Sequence, residues 1–562
     1  MFRTDPKPAS GIATTPAAPQ VETAATAAPI APKKPSSLLT MPSWSTRLRY
    51  GIVAVALLAY YTRQPSDYYA VCSSDGEKAI YTVDANNSVV QCMLVHGPDI
   101  VDTGDLESIK QRNPRLSFGT RHIPRGSIVV PGISDSHCHI LEYGASSQIP
   151  LSEGKNVKET VHAIRDYILS NPDLANNKSK VVEGWGWDHA SWDVEKWPTY
   201  EGLEQDPVVG GRPIVLQSRD GHALWVSKAT LQANAPYPDE IEGGFILRDQ
   251  EGNPTGIFID GAQALIKRDP PTDADLKRRF QITVDHALAA GLTSLHDAGF
   301  KPDSLAFFKR QIQQDNLPLR IYGMTHFNET DPNWGQEIDP VLRSGKNRLT
   351  VRSVKIFADG DRANGIVLDA FELGMKGTGQ TTLDSLRPRL EHAQIMNPKD
   401  IARLGKLGVI ASIQPTHAIS DMWYAEERLG PERVKDLYAF RSIIDSGARV
   451  TLGSDFPVEV INPLKGFYAA VTRLETDGSS PHGPGGWFPN QRLTRLEALR
   501  GMTIDPAYAS FTESSLGSLE KGKLADYAVL SQDIMSVPVE EIMKTKVLAT
   551  VIDGNVVHGV LG

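Results

Sequence analysis

Two histidines separated by one residue, His137 and His139 in DSHCHI, are the first pair along the chain able to act together chemically. On a β-strand the side-chain period of two puts both imidazoles on one face. At a strand end they then offer two nitrogen ligands to one metal ion. H-x-H pairs also arise by chance, and a single histidine at a strand end ordinarily caps a loop or bonds a carbonyl. Further polar groups nonetheless close apolar runs in the same way: Asp297 in TSLHDAG, Lys355 and Asp359 in VKIFADG, His392 in LEHAQ, His417 in IQPTHA and Asp455 in LGSDFP. The signal is their recurrence on successive runs, because side chains at one end of a parallel barrel converge on a shared site.

The runs that must position these groups are IVVPGISDSHCHI, GLTSLHDAG, LPLRIYGMTHF, LTVRSVKIFADG, RPRLEHAQ, GVIASIQPTHA and ARVTLGSDFP. They read as strands, mostly separated by helical stretches such as DADLKRRFQITVDHALAA. That alternation predicts βα units around a parallel sheet, with chemistry at the carboxyl ends of the strands. The stretch between His139 and Pro270 is too long for one crossover and must hold an insertion at about 140–270. KAIYTVDANNSVVQCMLVHGPDIVDTGD near the beginning, and GKLADYAVLSQD with VLATVIDGNVVHGVLG at the end, alternate apolar and polar residues between turn signals. These predict one small β domain built from residues 76–130 and 515–562 around a middle of 131–514.

The 562 residues carry a formal charge of -9, with 40% hydrophobic and 22% charged residues, as in ordinary globular protein. No basic cluster interleaves with aromatics, so nucleic acid is not an expected partner. Cys72, Cys92 and Cys138 are too few and scattered for a zinc-thiolate site or a disulfide framework. Cys72 and Cys92 either pair in an oxidising compartment or stay as separate buried thiols. Residues 1–49, rich in Ala, Pro and Thr, predict a disordered tail. The run YGIVAVALLAYY, residues 50–61, is shorter than the ~20 apolar residues of a membrane span. It is either a signal anchor, with Arg47 and Arg49 on the cytosolic side and the rest lumenal or extracellular, or a hydrophobic helix docked on a cytoplasmic protein. Sequons at Asn86, Asn177 and Asn328 suit the first alternative.

PGISDSHCHI, GWGWDHASW, SRDGHALWVSK, GFILRDQEGNPTGIFID, GLTSLHDAG, SVKIFADG, RPRLEHAQ, SIQPTHAISDMWYAEERLG, GSDFPVE and LGSLEKGKLADYAVL occur in this order. Together they resemble the amidohydrolase superfamily, in particular its YtcJ-like branch (amidohydrolase family 3), from about Ala79 onward. The resemblance implies an α/β fold: a distorted TIM-like (β/α)8 barrel with a small β-sandwich made from both chain ends. It implies metal-dependent hydrolysis of carbon–nitrogen bonds other than peptide bonds, in small N-substituted or cyclic amides. The implied cofactor is a divalent metal, zinc, as one or two ions. His137, His139, His392 and Asp455 are the implied ligands, and Lys355, carbamylated by carbon dioxide, is the implied anionic bridge. Asp455 is also implied to take a proton from the attacking water and return it to the leaving nitrogen. Trp187, Trp192, His222 and His296 match motifs facing substrate, whereas His417 either supports a ligand or touches substrate. Asp526 in LADY is expected to be structural.

The chain departs from the family pattern at one joint. A further ligand histidine belongs in a motif like HAIGDRAN, yet no histidine occurs between Ile356 and Glu391, and DRANG joins ADG directly. A strand–helix–strand crossover needs at least ~30 residues, so this span holds one unit and not two. Candidate strands therefore number seven, where a closed barrel has eight. Three origins would leave that trace: an internal segment absent from this chain, a divergent enzyme with fewer ligands, or a non-catalytic binding or scaffold protein. The first accounts most simply for so abrupt a join.

Overall fold

The computed structural model describes residues 68–193, 196–326, 340–356, 361–378 and 383–562. The candidate anchor at 50–61, Asn328 and Asp359 lie outside the described residues. Among the described residues no helix is long and apolar enough to cross a membrane.

Four strands, β1 (Ile133–Cys138), β2 (Leu292–Phe300), β3 (Arg320–His326) and β4 (Leu349–Lys355), form a parallel sheet in that spatial order. A short antiparallel strand, Val341–Arg343, edges β4. A second parallel sheet contains β5 (Arg389–His392), β6 (Ile410–Ile413) and β7 (Val450–Leu452). β1, β6 and β7 are buried along their whole length, as continuous apolar runs covered on both faces should be.

The two sheets join where the chain leaving β7 runs beside β1. The Asp455 N–H donates to the His137 carbonyl at 2.7 Å, and the His139 N–H to the Phe456 carbonyl at 2.9 Å. Gly453 permits this approach, since a Cβ there would lie 2.5 Å from the His137 backbone nitrogen. On the opposite side, among the described residues, no strand pairs β4 with β5. The helix Asp361–Thr378 follows β4 and is tied to the helix Pro398–Leu407, where Arg403 reaches Asp369 at 2.7 Å and Glu372 at 3.1 Å. Among the described residues, the distorted barrel expected to lack one βα unit is seen as two parallel sheets joined along one edge.

The insertion carries its own sheet, ordered Gly244–Arg248, Pro254–Asp260, Ala223–Val226, Ile214–Ser218, Val182–Trp187, with a core that includes Trp187, Trp225 and Leu216. Both chain ends meet in another sheet, ordered Val89–Val90, Ile80–Tyr81, Ile128–Pro131, Tyr527–Leu530, Val547–Ile552, Asn555–Gly559. Its partner sheet holds Tyr68–Cys72 and Cys92–His96 among four strands. Val71, Val95, Val129, Tyr527 and Val551 fill the space between the two. Cys72 and Cys92, paired across adjacent strands, form a disulfide, while Cys138 is free and buried.

Buried charge fastens this β unit to the parallel sheet. Arg320, opening β3, donates to both oxygens of Asp526 at 2.6 and 2.8 Å and also to Asp553 at 2.5 Å. Arg348 holds the other Asp553 oxygen at 2.6 Å. Asp526 therefore has the structural part that the LADY motif suggested.

Candidate metal centre

The end of β1 aims its polar residues by strand alternation. His137 is wholly buried, and its Nδ1 lies 2.6 Å from Glu391 Oε2. An ionised carboxylate only accepts, so Nδ1 carries the proton and Nε2 presents a lone pair. Burial first, and the Lys355 charge second, push the His137 pKa down to about 3, so the ring is neutral. Its Nε2 sits 3.5 Å from Asp455 Oδ1, and both atoms are buried without a hydrogen bond. His139 Nε2 approaches the same oxygen at 3.1 Å.

The second oxygen of Asp455, Oδ2, has His392 Nε2 at 3.7 Å and His417 Nε2 at 3.8 Å. Two trios result, His137/His139/Asp455 and His392/His417/Asp455, with the ligand atoms of each within 4.8 Å of one another. Buried acceptors that face each other are costly unless a cation lies between them. Imidazole nitrogens with one carboxylate form a donor set suited to a divalent transition ion. Burial alone would raise the pKa of Asp455, but His137, His139 and His417 outweigh it and hold the carboxyl well below its usual range. Burial likewise works to lower His139, and Asp455 overrides it to raise that ring. For His392 burial prevails over Asp455, and its pKa falls.

Two neighbours on β5 fix this arrangement. Arg389 Nε donates to Glu391 Oε1 at 2.6 Å, Nη2 to the Ser136 carbonyl at 2.6 Å, and Nη1 to His296 Nδ1 at 3.0 Å. Although burial opposes it, Arg389 followed by His137 keeps Glu391 ionised, well below its ordinary pKa. Arg389 thus holds the carboxylate that sets the His137 tautomer, the usual arrangement behind a metal-binding imidazole. On β1, Asp135 accepts the Ser454 N–H at 3.1 Å, the Ser454 hydroxyl at 2.6 Å and the His137 N–H at 3.1 Å. It thereby locks the loop after β7 onto β1. Asp135, Arg389 and Glu391 leave no sign in the sequence beyond D-x-H and R-x-E spacing, which an exposed strand face shows equally well. His392 and Asp455 both take positive φ, 67° and 61°, a conformation costly for such residues and concentrated at functional sites.

The remaining residues of interest fall in three places. Lys355 ends β4 half-buried; burial lowers its pKa against the pull of Glu391, Asp455 and Asp297. His296 is buried and accepts a hydrogen bond from Arg389, and burial with the Arg389 charge holds it neutral. Through Arg389 it is tied to the Glu391 carboxylate. Trp187 lies in the core of the insertion: its ring is fully buried, its Nε1–H donates to the Leu216 carbonyl at 3.0 Å, and Trp192, Trp197 and Trp225 pack around it. His222 lies on the insertion, largely exposed, with Nδ1 2.8 Å from Asp260 Oδ1, and is not brought to the cluster. Asp297 receives the Ile140 N–H at 3.0 Å, steadying the turn after His139; burial and Glu142 push its pKa up to about 6.

A sequence profile of the amidohydrolase family matches residues 125–376 and 358–558, two stretches that share most of the helix Asp361–Thr378. The chain is 28% identical to the protein LONG AFTER FAR-RED 3 of Arabidopsis thaliana, over 84% of this chain and 89% of that protein. It is 27% identical to the N-substituted formamide deformylase of Arthrobacter pascens, over 84% and 96%. Its fold is shared with an uncharacterized metal-dependent hydrolase from Pyrococcus horikoshii, with a TM-score of 0.66 at 22% identity, covering 84% of this chain and 99% of the other. Since the matched stretches take in all of β1–β7 and both histidine–aspartate trios, the chain belongs to the amidohydrolase family.

Proposed function

We propose that this protein is a metal-dependent hydrolase of carbon–nitrogen bonds other than peptide bonds, taking N-substituted or cyclic amides as substrates. The observation that carries the proposal is the pair of buried, unbonded acceptors, His137 Nε2 and Asp455 Oδ1, 3.5 Å apart. His137, His139 and Asp455 would hold one divalent ion, zinc by ligand type. His392 and Lys355 would serve a second, with Lys355 as a carbamate formed when its amine adds to carbon dioxide and loses a proton. When bound, such an ion acidifies water and polarises the amide carbonyl. Glu391 keeps the proton on Nδ1 of His137 and leaves Nε2 free for binding. Asp455, held ionised by the imidazoles around it, takes the proton of the attacking water and delivers it to the leaving nitrogen. The substrate class rests on the A. pascens relative, whose name specifies N-substituted formamides.

In this proposal β1–β7 form the wall of a distorted (β/α)8 barrel over 131–514, lacking one βα unit, and 76–130 with 515–562 form its companion β domain. The Cys72–Cys92 disulfide, together with sequon residues Asn86 and Asn177 at the surface, supports a lumenal or extracellular catalytic part held through residues 50–61. The overlapping family match and, among the described residues, the lack of pairing between β4 and β5 favour a second reading, a weakly active or non-catalytic scaffold protein. Metal analysis of the purified chain and assays on N-substituted formamides and cyclic amides separate the two. Stoichiometric zinc with turnover, and a ~10²–10⁴-fold loss in Asp455→Asn, are expected; protein with neither metal nor turnover would leave the scaffold reading.

A further inference from the structure

We propose that His417 is itself a metal ligand, through Nε2, and completes a second cation position with His392 Nε2 and Asp455 Oδ2. This inference rests on the metal-dependent reading above and extends it to a residue so far given only a supporting or substrate-contacting part. His417 lies in the first turn of the helix Pro415–Asp421, directly after β6. Buried Pro415, Thr416 and Ala418 flank it and fix the direction of its side chain. Its Nε2 is buried without a hydrogen-bond partner, although Asp455 Oδ2 is only 3.8 Å away. The His392 ring on the neighbouring strand is 5.7 Å away, centroid to centroid, and directs its own Nε2 to the same oxygen at 3.7 Å. Two nitrogens and one oxygen thus converge on a space that none of them fills with a hydrogen bond to another.

The chain offers no histidine between Ile356 and Glu391, so nothing from that stretch can supply a second imidazole beside His392. His417 does so from the opposite neighbour, β6. The ligand types decide the ion: two imidazoles and one carboxylate suit zinc or another late first-row divalent cation, whereas calcium and magnesium require oxygen-rich sites. Because one carboxylate serves both trios, the second position forms only where Asp455 is already held in place by β1.

The full chain, stripped of metal and titrated with zinc, supplies the test, with bound metal read by mass spectrometry and cobalt absorption spectra recorded in parallel. Two equivalents are expected for the unaltered chain, and one for His417→Ala. Binding at the lost position should weaken by at least ~10²-fold, beyond the ~10–100-fold typical of groups behind a ligand. His417→Gln, checked for an unchanged unfolding temperature, repeats the measurement should the alanine variant fail to fold. Two equivalents retained in a folded His417 variant would overturn the inference. So would a single equivalent in the unaltered chain that His137→Ala removes and His417→Ala leaves intact, although metal dependence itself would then survive. No zinc bound to the unaltered chain would overturn both.

Discussion

Asp455 divides its two oxygens between two pairs of imidazoles, and the residues behind those imidazoles decide whether the pairs can bind anything. Glu391→Gln tests this directly. A glutamine amide can donate to His137 Nδ1 and move the ring proton to Nε2, so zinc affinity should fall ~10–100-fold in a titration while the fold persists. Gly453→Ala acts through space: its new methyl would meet the His137 backbone. It should cost about 1–3 kcal/mol in urea unfolding and lower the bound metal. His137, His139, His392 and Asp455 were legible because each is a polar residue ending an apolar run. Arg389 and Glu391 were not, since two charges at period two look like an exposed strand face until other strands bury them. The packing of Trp187 against three other tryptophans was not legible either, because a tryptophan-rich motif does not show which rings meet one another.

At the scale of elements, the seven apolar runs were readable as strands because buried parallel strands are continuous in hydrophobicity. The insertion was legible only as excess length, for its sheet order depends on contacts that no local pattern encodes. Arg320 shows how one such contact fastens β3 to the strand Tyr527–Leu530 through Asp526. Arg320→Met leaves the buried Asp526 carboxylate without its cation, while Asp553 keeps Arg348, and should cost about 3–5 kcal/mol in chemical unfolding. The helix Arg495–Gly501 begins with a capping box between Thr494 and Glu497, and Arg441 also pairs with Glu497 at 2.5 Å. The Arg441 hydrogen bond, despite partial burial, lowers the Glu497 pKa from 4.5 to about 2. A depressed folded-state pKa stabilises above the unfolded value, so this contribution is complete above about pH 4.5 and disappears as pH falls toward 2. Urea midpoints measured across that window should fall less steeply for Glu497→Gln than for the unaltered chain.

Across the whole molecule, the Cys72–Cys92 disulfide closes a short loop at the start of the β unit that both chain ends build. Replacing both cysteines with serine should cost about 2–4 kcal/mol, read by thermal unfolding under non-reducing conditions. The terminal runs were recognisable as strands by alternation, which reveals faces but not partners. Their pairing also sets a schedule. The strand Ile128–Pro131 needs Tyr527–Leu530 along one edge, and the ribosome makes every parallel strand before that partner emerges. At ~5–20 residues per second, the nascent chain spends on the order of tens of seconds with this edge uncovered. During that interval the uncovered Ile128–Pro131 edge is a template open to wrong pairing until the last part of the chain is made.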